Sequence, residues 1–160
     1  MRSRYVKSEF FIQAEGCRYL SGPAHLELTR HLIEINYCVR FQAKGYSMSP
    51  FIREGDYITL SPLKEGSVGF GNVVAYSRKD VETMVVHRIV HIMRNLIITK
   101  GDSNPDNDDP VTRENIFGIV TRIERDGKRL FWGLGLERWL IAWVSRRKTG
   151  PGWLFRRSVA

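Results

Sequence analysis

Thr83-Met84-Val85-Val86-His87-Arg88-Ile89-Val90-His91-Ile92-Met93 is the stretch on which the fold turns. It is short and rich in β-branched side chains, and it reads as a strand. Strand side chains alternate, so Thr83, Val85, His87, Ile89 and His91 are expected on one face. The same character recurs at Cys38–Ala43, Asp56–Leu60, Asn72–Ser77, Leu96–Thr99 and Ile116–Glu124, with Gly, Pro, Asn or Asp between the runs. A mainly β, antiparallel domain follows from this pattern. Upstream, Pro23 to Asn36 reads as a helix, with Ser21 as its cap and Leu28, Leu32 and Ile35 at spacings of four and three. Downstream, Asp126-Gly127 is a turn dipeptide, and Leu130–Arg147 reads as a second, amphipathic helix. The chain divides accordingly into an N-terminal helical extension (1–36), a β domain (37–126) and a C-terminal helical tail (127–160).

At 160 residues, 42% of them hydrophobic and 11% aromatic, the chain can bury a core, and a disordered protein is excluded. Two cysteines, Cys17 and Cys38, rule out a disulfide scaffold or a Cys-rich zinc module and read as ordinary thiols. No apolar run reaches the roughly 18 residues that a bilayer-spanning helix needs. The basic start Met1–Lys7 is followed by no apolar core of a secretory signal. A cytoplasmic or peripheral membrane protein without cofactor or metal is expected. The net charge of +8 is not spread evenly. Residues 128–160 hold eight Lys or Arg against the single acid Glu137, whereas the first 127 residues hold 17 basic and 16 acidic side chains. All four tryptophans (Trp132, Trp139, Trp143, Trp153) lie in the same tail. Its aromatic stripe of Trp132, Leu136, Trp139, Leu140 and Trp143, flanked by basic residues, suits either an anionic membrane surface or packing on the domain's own sheet.

Three segments can carry chemistry. In Gly45-Tyr46-Ser47-Met48-Ser49-Pro50, a serine at a strand end can present its hydroxyl in a tight turn whose backbone amides are free to bind an oxyanion, or can simply hydrogen-bond its own turn backbone. A hydroxyl is a weak nucleophile that needs a neighbouring base, and His87 is the candidate, since histidine titrates in the useful range. The third segment is Thr99-Lys100-Gly101-Asp102-Ser103-Asn104-Pro105-Asp106-Asn107-Asp108-Asp109. Its alternating acids imitate a calcium loop, but Asn107 and Arg113 stand where that loop requires Gly and Glu, which disfavours calcium. One of its aspartates can instead orient His87 by accepting a ring N–H.

Ser47-Met48-Ser49-Pro50 with Gly55-Asp56, then His87-Arg88-Ile89-Val90, then Thr99-Lys100-Gly101-Asp102 with Asp108, resemble the ordered boxes of type I signal peptidases over about Val39 to Val120. The resemblance is closest to the endoplasmic-reticulum, archaeal and sporulation-type branch, in which histidine replaces the lysine base. It implies the antiparallel β fold shared with LexA-type repressor peptidases, and a serine endopeptidase acting on a protein or peptide with small side chains on the acyl side. In that reading Ser47 is the nucleophile, His87 the general base, and Asp102 and Asp108 the functional aspartates. Gly45 departs from the family, which usually has a hydroxyl residue two positions before the nucleophile. The membrane anchor that normally precedes the serine box is also missing, since residues 24–44 carry too many charges to span. Two rivals remain. One is a LexA-like self-cleaving regulatory domain with a lysine base, although Lys79 and Lys100 do not sit where that base belongs. The other is a non-catalytic peptide- or membrane-binding adaptor. Nucleic acid is not an expected partner, because only one helix is legible in residues 1–36 and no helix-turn-helix can be built from it.

Overall fold

The computed structural model describes residues 23–78 and 83–146. Cys17, Ser21, Lys79, Trp153 and the basic residues Arg147, Lys148, Arg156 and Arg157 lie outside the described residues. The described elements are helix α1 (Pro23–Glu34), strands β1 (Val39–Gln42), β2 (Tyr57–Pro62), β3 (Val73–Ser77), β4 (Met84–Met93), β5 (Leu96–Lys100), β6 (Val111–Thr112), β7 (Ile116–Arg125) and β8 (Lys128–Leu130), and helix α2 (Arg138–Arg146). The strands form one curled antiparallel sheet in the order β1-β2-β7-β3-β4-β5-β6, with β8 also paired to β7. The mainly β architecture with a helix at each end matches the expectation from sequence.

β3 sits mid-sheet, and its residues Val73 to Tyr76 are all buried. Val73 and Ala75 join one core cluster, with Met48, Ile52, Ile58, Leu60, Phe117, Val120 and Ile123. Val74 and Tyr76 join another, with Ile89, Ile97 and Ile116. Both faces of β3 are therefore covered, which is why it reads as an unbroken apolar run rather than an alternation. Helix α1 closes the first cluster through Leu26, Thr29 and Ile33. Burying Leu26 and Ile33 contributes about 1.5–3 kcal/mol each. Leu28 and Ile35, two of the three residues that suggested the helix, are exposed. The period was right, but the buried stripe is a neighbouring one.

Two expectations are corrected. The β4–β5 register pairs Ile89 with Thr99 but His91 with Ile98, so Val90 is an extra residue in a β-bulge. Cross-strand partners share a face, and Thr99 and Ile98 alternate. His91 therefore faces away from His87, not beside it. In the tail, Asp126-Gly127 (φ 50° and 72°) is a two-residue hairpin turn that continues the sheet into β8, and helix α2 starts only at Arg138. Gly133, at φ 101°, cannot continue a helix, and the Glu137 carboxylate accepts the Gly133 and Gly135 N–H groups at 2.6 and 3.0 Å. Trp132 and Leu136 are thus turn residues, not part of a helical stripe. α2 buries Ile141, Ala142 and Ser145 and packs against β4.

Candidate active site

The loop between β1 and β2 carries Ser47. Its base is shut by reciprocal backbone bonds, Ala43 N–H to Asp56 O at 2.7 Å and Gly55 N–H to Ala43 O at 2.9 Å. Asp56 is buried and accepts the Arg53 amide and both arms of Arg125 from β7, at 2.7–2.8 Å. Burial opposes its charge, yet these donors hold the Asp56 carboxyl below the ordinary carboxylate range. Met48 and Ile52 plug the loop into the core. Ser47, next to the buried Met48, is thereby fixed at the mouth of the fold. The Tyr46, Ser47 and Met48 amides donate to no acceptor among the described residues.

His87 points at this serine from β4. Its Nε2 lies 3.0 Å from Ser47 Oγ, and its Nδ1 lies 2.6 Å from Asp108 Oδ2. With the proton on Nδ1 donated to the carboxylate, Nε2 is left as the acceptor of the serine O–H. Asp108 is held twice by the end of β5: its amide donates to the Thr99 carbonyl at 2.9 Å, and Thr99 Oγ1 donates to its Oδ2 at 2.8 Å. Burial works against the Asp108 charge, but His87 and Thr99 outweigh it and keep the carboxyl below its usual range. Tyr76 flanks the row, its ring edge-on to His87 with centroids 6.5 Å apart. Burial, reinforced by the charge of Asp108, pushes the Tyr76 phenol well up, so it stays protonated beside Asp108 and Thr99, outside hydrogen-bonding geometry with either.

The other predicted aspartate is somewhere else. Asp102 is fully buried on the opposite face of β4, where Arg88 Nε and a terminal nitrogen meet its two oxygens at 2.8 Å each. The remaining guanidinium nitrogen donates to the Gly71 and Gly133 carbonyls at 2.9 Å. Desolvation raises the Asp102 carboxyl, and its paired Arg88 opposes that rise. Asp102 therefore belongs to a structural ion pair and does not touch His87. What it does is hold the turn after β5, whose Ser103 amide and hydroxyl donate to the Ser47 and Tyr46 carbonyls at 2.8 and 2.7 Å. Only glycine fits at position 101, because a Cβ there would lie 2.7 Å from the Ser47 carbonyl oxygen.

Lys100 is buried too, and its amine donates to the Ser145 carbonyl near the end of α2 at 2.6 Å. Burial lowers its pKa. It fastens α2 to the sheet. Among the described residues no group of three or more His, Cys, Asp or Glu is placed to hold a metal ion. Ser47, His87 and Asp108 are brought together as a hydrogen-bonded row; Asp102 is not. Sequence reasoning quoted Thr99 and Ser103 without seeing their work, and it missed Arg88 and Tyr76. The signal for Arg88 was available: an arginine inside an apolar strand needs a buried acid.

No protein-family model matches the chain, and no curated protein matches it in sequence.

Proposed function

We propose that the protein is a serine endopeptidase of signal-peptidase type, working through Ser47, His87 and Asp108. The observation that carries this reading is the unbroken row from Ser47 Oγ through both ring nitrogens of His87 to Asp108, at 3.0 and 2.6 Å. Ser47 Oγ attacks the scissile carbonyl while His87 Nε2 takes its proton, and the imidazolium is stabilised by the ionised Asp108. The tetrahedral oxyanion is met by backbone amides of the 45–48 turn, since Gly45 supplies no side-chain donor. His87 then returns the proton to the leaving amine. Water repeats the sequence on the acyl-enzyme and releases the acid product.

The engagement of Lys100 with Ser145 favours histidine over a lysine base. A substrate with small side chains on the acyl side is what the resemblance of the serine, histidine and aspartate boxes suggests. Among the described residues no helix is long and apolar enough to cross a membrane. The test is covalent labelling by a fluorophosphonate, which reacts readily with an activated serine hydroxyl and not with an ordinary one. Wild type should label at Ser47, and Ser47→Ala and His87→Ala should not. A folded wild type that resists labelling and cleaves no Ala-x-Ala peptide would turn the reading to a binding adaptor of the same fold.

A further inference from the structure

Phe131, Trp132, Leu136, Trp139 and Leu140 are all 51–78% exposed, on the turn between β8 and α2 and on the outer side of α2. A soluble surface seldom gathers so many large apolar groups without a partner. Exposed charge around them is mostly positive, with Asp126 at the β7–β8 turn as the exposed acid. Lys128, Arg129 and Arg146 are exposed at the margins, and the Arg129 guanidinium lies 5.1 Å from the Phe131 ring centre. The one acid of the segment, Glu137, is turned onto the Gly133 and Gly135 amides, which help hold its carboxyl below the ordinary range. The face therefore offers aromatics and leucines with more cations than carboxylates around them.

We propose that this face docks on an anionic lipid bilayer. Aromatic rings beside cations, with leucines between them, match an interface that is apolar inside and negative at its surface. A second copy of the chain is a poorer occupant, because a two-fold contact would set Lys128, Arg129 and Arg146 against themselves, with Asp126 as the exposed acid to meet the three. A phosphate backbone would satisfy the cations but leave Leu136 and Leu140 without a partner. The docking face is also continuous with the nucleophile loop. A Cβ at Gly133 would lie 3.0 Å from Phe51, four residues beyond Ser47, and Arg88 ties the Gly133 carbonyl to β4. Binding there holds the Ser47 loop beside the lipid surface.

The experiment is cosedimentation of the full chain with phosphatidylserine-containing vesicles and with phosphatidylcholine vesicles, with tryptophan emission read in parallel. The expected result is pelleting and a blue shift with the anionic vesicles alone, and weaker binding as salt rises from about 0.1 to 1 M and the screening length shrinks from ~10 to ~3 Å. Leu136→Ser with Leu140→Ser, both exposed and checked by circular dichroism, should weaken partitioning about a hundredfold, roughly tenfold for each side chain. Ser47→Ala should bind as wild type does, so this proposal and the peptidase reading fail separately. Protein that stays in the supernatant at low salt would overturn the proposal. So would a double variant that binds as well as wild type, or a dimer in sedimentation velocity that the double variant dissociates.

Discussion

Asp102→Asn and Asp108→Asn are the same chemical change, yet they should injure the protein in different ways. At position 102 the carboxylate is the ion-pair partner of Arg88, and both side chains are wholly buried. Removing it strands a guanidinium in the core with only the Gly71 and Gly133 carbonyls, a loss of about 3–5 kcal/mol. Against a total of about 5–15 kcal/mol for a domain, that is a large fraction. At about 2–4 °C per kcal/mol for a chain of this size, Tm should fall by roughly 6–20 °C. At position 108 the side chain is partly exposed, and an amide oxygen can still accept from His87 and Thr99, so the loss is their charge assistance, about 1.5–3 kcal/mol. Its effect should fall on the rate instead, near the 10⁴-fold seen when a triad acid is neutralised. Urea unfolding followed by circular dichroism reads the first quantity, and the labelling or cleavage rate reads the second. Replacing the pair together, Arg88→Met with Asp102→Leu, should recover much of the lost stability because no charge is left behind. The division of labour is refuted if Asp102→Asn unfolds within about 1 kcal/mol of wild type, or if Asp108→Asn reacts at nearly the wild-type rate.

Ser47→Ala and His87→Ala should each lower cleavage by about 10⁴–10⁶-fold and the double variant little further, as groups acting as one unit do; multiplicative losses would break that unit. His91→Ala should cleave normally, because the bulge at Val90 sends that ring to the other face; a loss comparable to that of His87→Ala would contradict the β4–β5 register. Gly101→Ala should cost about 1–3 kcal/mol and slow turnover, since the new methyl displaces the Ser47 carbonyl; unchanged kinetics would show that the two loops move independently. Asp56 has a depressed carboxyl in the folded state, so its contribution to stability is present above the ordinary pKa of about 3.9 and is lost as pH falls through the depressed value. Asp56→Asn should therefore flatten the acid limb of a urea-midpoint against pH profile, and an unaltered limb would count against the Arg125 pairing.

The strands were legible because local composition decides them: β2, β3, β4, β5 and β7 fall within about two residues of their expected runs. Less legible was whatever depends on a partner strand. Nothing within Ile89-Val90-His91 announces a bulge, which exists only relative to the shorter count on β5. The two-residue β6 is likewise created by its pairing with β5, not by its own two side chains. Of the site, Ser47 and His87 could be named from residue type and order. Choosing between Asp102 and Asp108 needed the third dimension, since both follow the same strand and only the loop's return to Thr99 brings Asp108 to the imidazole. The tail misled because hydrophobic period was weighed above Gly133 and Gly135, which interrupt any helix before Arg138.

His87 and Arg88 are adjacent in sequence and face opposite ways, one toward Ser47 and the other toward Asp102. A strand has only two faces, so a slip of one position would exchange them. The guanidinium would then meet Ser47, and the imidazole would meet the buried Asp102 carboxylate. A slipped conformer would thus lose both the Ser47–His87 contact and the two-bond Arg88–Asp102 pair, so the error that breaks the hydrogen-bonded row also destabilises the fold. The dipeptide works as a proofreading mark, through which pairing errors in the central sheet are discarded by the same interaction that holds the correct alignment.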